Sequence, residues 1–177
     1  MNYLKIEKTS ISNGPGVRTV LWVAGCSLHC KGCQNPDSWD CNSGKLFDDT
    51  AKQELFDALN KPYIQGITFS GGHPLEKENV ETIYDLIVEI KSKFPHKNIW
   101  LYTGYTWESL FFEEDNIEEI YYDQTRRAIM LGCDIVVDGP YIEAQRDITL
   151  PFRGSRNQRL IDVKETINQN KIITIQN

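Results

Sequence analysis

The sequence predicts an α/β protein: a partial, open parallel (β/α) barrel with a short C-terminal hairpin. Strand-like and helix-like segments alternate along the chain, which argues for parallel strands joined by helices. Four apolar strands each run straight into a glycine-bearing loop. The length sets the limit, because 177 residues suffice for one domain with a real core. They fall short of the ~250 residues typical of a closed eight-stranded barrel. A single domain over 1–177 is therefore expected.

The elements follow in order. Ile11-Ser12-Asn13-Gly14-Pro15-Gly16 is a turn-rich loop. Thr19 to Ala24 is a run of strand formers that ends at Gly25-Cys26. Thr50-x-x-Gln53 reads as a capping box opening a helix, with Ala51, Leu55, Ala58 and Leu59 on one face and Pro62 as its stop. Gly66 to Ser70 is the second strand and leads into Gly71-Gly72-His73-Pro74. Val80, Ile83, Ile87, Ile90 and Phe94 recur at helical spacing, and Pro95 ends that helix. Asn98 to Tyr102 is the third strand, followed by Thr103-Gly104-Tyr105.

Acidic residues 113–119 lead into a helix carrying Ile120, Ile129 and Leu131, with Arg126 and Arg127 expected in solvent. Cys133 to Asp138 is the fourth strand, before Gly139-Pro140, and Cys133 reads as a buried thiol. Residues 158–163 and 171–175, either side of Asn168-Gln169-Asn170, read as the hairpin. In such folds the loops at the carboxyl ends of parallel strands gather on one edge and build the site. The Cys, Gly-Gly, Thr-Gly and Asp-Gly loops should therefore meet.

Composition narrows the function classes. The net charge of −6 and the lack of a basic run disfavour electrostatic binding to nucleic acid. No apolar stretch approaches the ~20 residues of a membrane span. Met1-Asn2-Tyr3-Leu4-Lys5 does not read as a signal peptide. Clustered cysteines without a secretory signal point to metal in a reducing cytoplasm rather than to disulfides.

Three of the five cysteines, Cys26, Cys30 and Cys33, stand at C-x3-C-x2-C spacing. Thiolates so close repel one another unless a cation holds them, and they favour zinc, copper(I) or the irons of a cluster. The count of three favours the last of these. Structural zinc usually takes four protein ligands, and an electron-transfer cluster takes four cysteines. Three thiolates on a four-iron cluster leave one iron open for chemistry. The alternative is a zinc knuckle whose fourth ligand is Cys41 or His29, within an interaction module without turnover.

The cysteine pattern resembles the signature of the radical S-adenosylmethionine enzymes. Gly71-Gly72 is similar to their Gly-Gly-Glu or Gly-Gly-Asp motif, although His73 takes the acidic place. Further segments resemble the glycyl-radical-enzyme activases: Asn13-Gly14-Pro15-Gly16-Val17-Arg18, Asn35-x-x-Ser38-Trp39 and Trp100-x-x-Thr103-Gly104-Tyr105. Val137-Asp138-Gly139-Pro140 and Phe152-Arg153-Gly154-Ser155-x-Asn157-Gln158 continue the likeness. Within the activases the likeness is to the branch serving the anaerobic ribonucleoside-triphosphate reductase, and it covers nearly the whole chain.

The resemblance implies a barrel of the radical S-adenosylmethionine type, with a [4Fe-4S] cluster on Cys26, Cys30 and Cys33 as metal and catalytic site. It implies S-adenosylmethionine on the open iron, approached by Gly32, Cys33 and Gln34 on the adenosyl side and by Ser70, Gly71, Gly72 and His73 on the methionine side. It implies a flavodoxin-like electron donor and, as partner, the large anaerobic reductase, whose glycine near the C-terminus receives the radical. A homodimer stays open. Asn13 to Arg18 and Asn35 to Trp39 flank the open edge and are expected to dock that partner. Arg153, Ser155 and Asn157 offer donors for a carboxylate or ribose, or form a polar strand end. The rival readings are an activase for another glycyl radical enzyme, such as pyruvate formate-lyase, and a small radical enzyme like the deazaguanine synthases that acts on a free metabolite.

Overall fold

The computed structural model describes residues 1–111 and 117–175. The first strands are β1 (Asn2–Ser10), β2 (Arg18–Val23) and the two-residue β3 (Lys45–Leu46). Then come α1 (Asp49–Leu59), β4 (Gly66–Gly71), α2 (Lys77–Lys93), β5 (Asn98–Tyr102), α3 (Trp107–Phe111) and α4 (Ile117–Gly132). The chain continues with β6 (Ile135–Asp138), β7 (Arg159–Asp162) and α5 (Val163–Gln169).

All seven strands form one open sheet in the order β3-β1-β2-β4-β5-β6-β7. The middle four, β2, β4, β5 and β6, are parallel, as the alternation predicts. The flanks are not. β1 runs antiparallel to β2 and β3, and β7 antiparallel to β6, so the sheet is mixed rather than all parallel. Sequence reading overlooks the two-residue β3 and, above all, β1. Its register against β2 shifts between Tyr3 and Lys5 and again between Glu7 and Ser10, which blurs the alternation a regular strand would show.

The period of two divides the sheet into two unlike faces. Leu21, Val23, Ile67, Phe69, Ile99, Leu101 and Val136 turn to one side and join Leu55, Ile83, Ile87, Ile90 and Ile129 of the helices in the main core. Each such side chain removed from water contributes about 1.5–3 kcal/mol. On the other side lies a smaller cluster, Trp100, Ile135, Val137 and Leu160 packed with Tyr102, Phe152 and Ile175, to which no described helix contributes.

A loop, not a helix, covers part of that second face. Arg18 is fully buried there. It donates to Thr68 Oγ1 (2.9 Å), the Ile67 carbonyl (2.7 Å) and Asn98 Oδ1 (2.6 Å), and its guanidinium lies 5.3 Å from the Trp100 ring. Thr68 Oγ1 in turn donates to the Asn13 carbonyl (2.7 Å), which fastens the 11–17 loop over the sheet. Burial lowers the Arg18 pKa to about 10. Arg18 is thus a buried anchor and not part of a docking surface.

Other local expectations are corrected. α1 starts before Thr50: Asp48 is the cap and accepts from the Ala51 amide (2.9 Å), while Gln53 bonds Asp57 (2.8 Å). The C-terminal segments do pair, through Ile161 and Thr174, but α5 stands between them in place of a tight turn. Asp162, the last residue of β7, caps that helix by accepting from the Glu165 amide (2.9 Å), so the chain turns into a helix there. Arg126 is buried, donating to the Leu75 carbonyl (2.9 Å) and to Asp123 (2.8 Å), and Arg127 donates to the Leu110 carbonyl. Residues 112–116 of the acidic stretch lie outside the described residues, as do the side chains of 117–120. Cys133 is buried, its thiol donating to the Ile129 carbonyl (3.2 Å). No described helix is long and apolar enough to cross a membrane.

Candidate functional site

The carboxyl ends of β2, β4, β5 and β6 open onto one cavity. Cys26, Cys30, Cys33 and Gln34 line it from the loop after β2. Ser70 and Gly71 line it from the end of β4 and Gly72 and His73 from the loop that follows, with Thr103 and Gly104 after β5 and Gly139 after β6. The sequence reading thus placed its loops together correctly. Gly32 is the exception: it is not among the lining residues and instead faces the Glu143 carboxylate. Cys41 is exposed and lies against Gly25, behind the cysteine loop.

All five thiols are free. Burial pushes the Cys26 thiol up, against the pull of the Leu28 and His29 amides. The Asn35 amide donates to Cys33 Sγ (3.3 Å). Among the described residues no three His, Cys, Asp or Glu side chains are gathered at metal-ligating distance. The three thiols share a cavity wall but do not yet converge on a point. The donor set still fits an iron–sulfur cluster: soft ligands on one short loop, an amide hydrogen bond to sulfur, and a glycine turn across the cavity. Trp39 adds an indole N–H that is buried without a partner beside this wall, its ring stacked on His29 at 4.6 Å.

The Gly-Gly turn is fitted to the cysteine loop rather than merely near it. The Gly72 amide donates to the Val23 carbonyl (2.8 Å) and the His73 amide to the Gly25 carbonyl (2.7 Å). A Cβ on Gly72 would sit 2.5 Å from the Gly25 oxygen and 3.0 Å from that of Ser38. Glycine is required at 72 because two stretches of backbone meet there. Gly71 has φ +104°, a conformation that disfavours any side chain.

His73 is 1% exposed, and both its ring nitrogens are engaged. Nδ1 lies 3.3 Å from Glu76 Oε1 and Nε2 lies 2.8 Å from Thr103 Oγ1. Glu76 Oε1 also accepts from the Ser27 amide and from Ser27 Oγ, each at 2.7 Å. Thr103 Oγ1 accepts from the Tyr105 amide (3.1 Å), so its hydroxyl hydrogen is free for Nε2. That assigns the proton to Nδ1, facing the carboxylate. Burial holds the His73 pKa below its ordinary value despite Glu76, so the ring is neutral near pH 7. Burial would raise Glu76, but the hydrogen bonds from His73 and Ser27 outweigh it and hold the group at about 2.

Both shifts lower a folded-state pKa, so both contribute stability at higher pH that is lost on acidification. Unfolding stability should decline first below pH 6.5, as the unfolded chain binds a proton at His73 that the native state refuses. It should decline again between 4.5 and about 2 through Glu76. Denaturant titrations across this range check it, and His73→Asn should flatten the upper step.

Comparison with known proteins bears on what this cavity holds. Residues 12–161 match the family model of the 4Fe-4S single cluster domain, a span that contains all three loop cysteines. The chain is also 40% identical over 160 residues to the anaerobic ribonucleoside-triphosphate reductase-activating protein of Haemophilus influenzae, covering 89% of this chain and 96% of that protein. The protein of the same name from Enterobacteria phage T4 is 40% identical over 160 residues, covering 90% of this chain and 93% of that one. The chain belongs to the anaerobic ribonucleoside-triphosphate reductase-activating protein family. Its Escherichia coli K12 member is 35% identical over 160 residues, covering 89% of this chain and 96% of that protein. As a member of this family the chain is an activating enzyme with an iron–sulfur cluster domain, which sets the zinc module aside.

Sequence reading missed Ser27, Glu76 and Asn79 as parts of this activase site. Asn79 is fully buried and donates to the Ala24 (2.8 Å) and His73 (3.0 Å) carbonyls, joining the two loops from below. The only signal in the sequence was a carboxylate three residues beyond the place where the family motif has one. Ser155 Oγ accepts from the Ile142 amide (3.2 Å) and Asn157 donates to the Pro140 carbonyl (2.7 Å). Arg153 keeps a buried Nε without a partner.

Proposed function

We propose that the chain installs a glycyl radical on the large anaerobic ribonucleoside-triphosphate reductase, with Cys26, Cys30 and Cys33 as cluster ligands and S-adenosylmethionine as co-substrate. The observation that carries the reading is the shared cavity of the three thiols and the Gly71-Gly72-His73 turn, in a chain of this family. When bound, the cluster and S-adenosylmethionine supply one-electron cleavage of a sulfonium and abstraction of hydrogen from the partner's glycine.

The chain's own residues bind, orient and shield. The amides of Gly72 and His73 and the His73 carbonyl are committed within the protein, so what the turn offers a methionine amino group is its glycine carbonyl oxygens. Gln34, beside Cys33 on the cavity wall, takes the adenosyl side together with the Cys33 backbone, while Gly32 faces Glu143 outside the lining. Thr103 and Gly104 close the far wall. The open, mixed sheet serves as a partial barrel of the radical S-adenosylmethionine type in a single domain. Its second face, covered by a loop instead of helices, leaves the cavity to be closed by the partner's glycine loop. Asn13, Asn35 and Trp39 stand at its margin for that contact. A flavodoxin-like protein is the electron source, and a reducing cytoplasm is the compartment this chemistry needs.

The test combines the protein, reconstituted under anaerobic conditions, with reductant, S-adenosylmethionine and the large reductase. An electron paramagnetic resonance doublet from a glycyl radical is expected, and it should vanish when the partner's C-terminal glycine is alanine. Consumption of S-adenosylmethionine in step with modification of a small metabolite, without a doublet, would replace this reading with the metabolite enzyme. A doublet only with a different glycyl radical enzyme would reassign the partner.

A further inference from the structure

We infer that Glu76 and His73 are positioning residues that clamp the cysteine loop through Ser27, in place of the acid that the family motif puts directly after Gly-Gly. The proposal rests on the cluster reading for its purpose but not for its geometry.

Three donors converge on one oxygen of Glu76: the Ser27 amide, the Ser27 hydroxyl and, by the assigned tautomer, His73 Nδ1–H. Ser27 follows Cys26 directly, so this bond fixes the backbone at the first turn of the cysteine loop. Two backbone bonds fix the same loop from its start, Gly25 N–H to the Ser38 carbonyl (2.8 Å) and Cys26 N–H to the Trp39 carbonyl (3.0 Å). Glu76 takes hold from the β4 loop on the far side of Cys26. His73 extends the hold to β5 through Thr103.

The clamp therefore ties three loops from three adjacent parallel strands at the cavity floor. Charge-assisted hydrogen bonds are about twice as strong as neutral ones, and the His73–Glu76 end of the clamp is buried, whereas Ser27 lies at the surface. A His73 ring engaged at both nitrogens and 1% exposed is not disposed to contact a cofactor by its side chain. Its contribution runs through Glu76 to Ser27.

Hydrogen exchange on the metal-free protein tests the clamp without any cluster. In Glu76→Ala the Ser27 amide should exchange at least tenfold faster, while the β6 amides keep their protection. Exchange at Ser27 within twofold of the parent overturns the proposal. So does equal acceleration in β6, which would make Glu76 a support of the whole fold. Reconstituted protein supplies a second readout, the rate of iron release to a chelator. Ser27 is exposed, so Ser27→Ala leaves folding intact, and it should speed release severalfold in the parent but add nothing in Glu76→Ala. Additive effects would overturn the clamp. A parent that takes up no iron would defeat the cluster reading and leave the exchange result to decide the clamp alone.

Discussion

Cys26→Ser, Cys30→Ser and Cys33→Ser are each expected to lose the cluster and with it all radical formation. Anaerobic reconstitution should load the parent with about four irons per chain, the content of one [4Fe-4S] cluster. Each variant should retain well under half of that and give no glycyl radical above background. The hydroxyl of serine ionises far above neutral pH, so it cannot replace a thiolate toward a soft metal. Cys133→Ser and Cys41→Ser are the controls, since Cys133 is buried in the helix-side core and Cys41 is exposed behind the loop. Iron analysis and absorption spectra measure this. Full loading of any of the three variants, together with loss in Cys41→Ser, would move the ligand set to a different triad.

Gly72→Val should be nearly as severe, for a reason lodged in the protein and not in the ligand. The family resemblance, which puts Gly72 on the methionine side, implies that a side chain there would intrude on the bound cofactor. In the structure the space its Cβ would take belongs to the Gly25 and Ser38 carbonyls, 2.5 and 3.0 Å away. Neither is a flexible side chain that can step aside, so the two loops must separate. Overpacking of this kind costs ~1–3 kcal/mol and more where backbone must move. For a chain of this size that lowers Tm by roughly 2–12 °C. A thermal melt of the metal-free protein separates this account from simple occlusion, which would spare Tm and reduce only cofactor binding.

How much of this was legible beforehand depended on whether a feature is local. The parallel strands announce themselves as apolar runs cut off by glycine, because both their faces are covered and the chain must turn sharply at the site. From that alone the meeting of the Cys, Gly-Gly, Thr-Gly and Asp-Gly loops could be deduced. β1 could not, since its charged positions and shifted register leave no clean period. Arg126 looks like a solvated helix residue until the Leu75 carbonyl, 51 positions away, is seen to receive it. Glu76 is likewise an unremarkable acid before a helix, until its partner proves to be Ser27, 49 positions back. Sequence carries propensity and period well, but it carries poorly the pairing of a single polar side chain with distant backbone.

The 3.3 Å contact between His73 and Glu76 restricts how this family member can have diverged. A carboxylate at 73 beside Glu76 would put two anions in one nearly dry pocket, where like charges suppress each other's ionisation. A lineage that regained the acid after Gly-Gly would have to surrender the one at 76 in the same step. Otherwise it would pass through an ancestor whose cysteine loop is held poorly. Positions 73 and 76 are therefore expected to be inherited as a single character, so that in related sequences an acid at one should exclude an acid at the other.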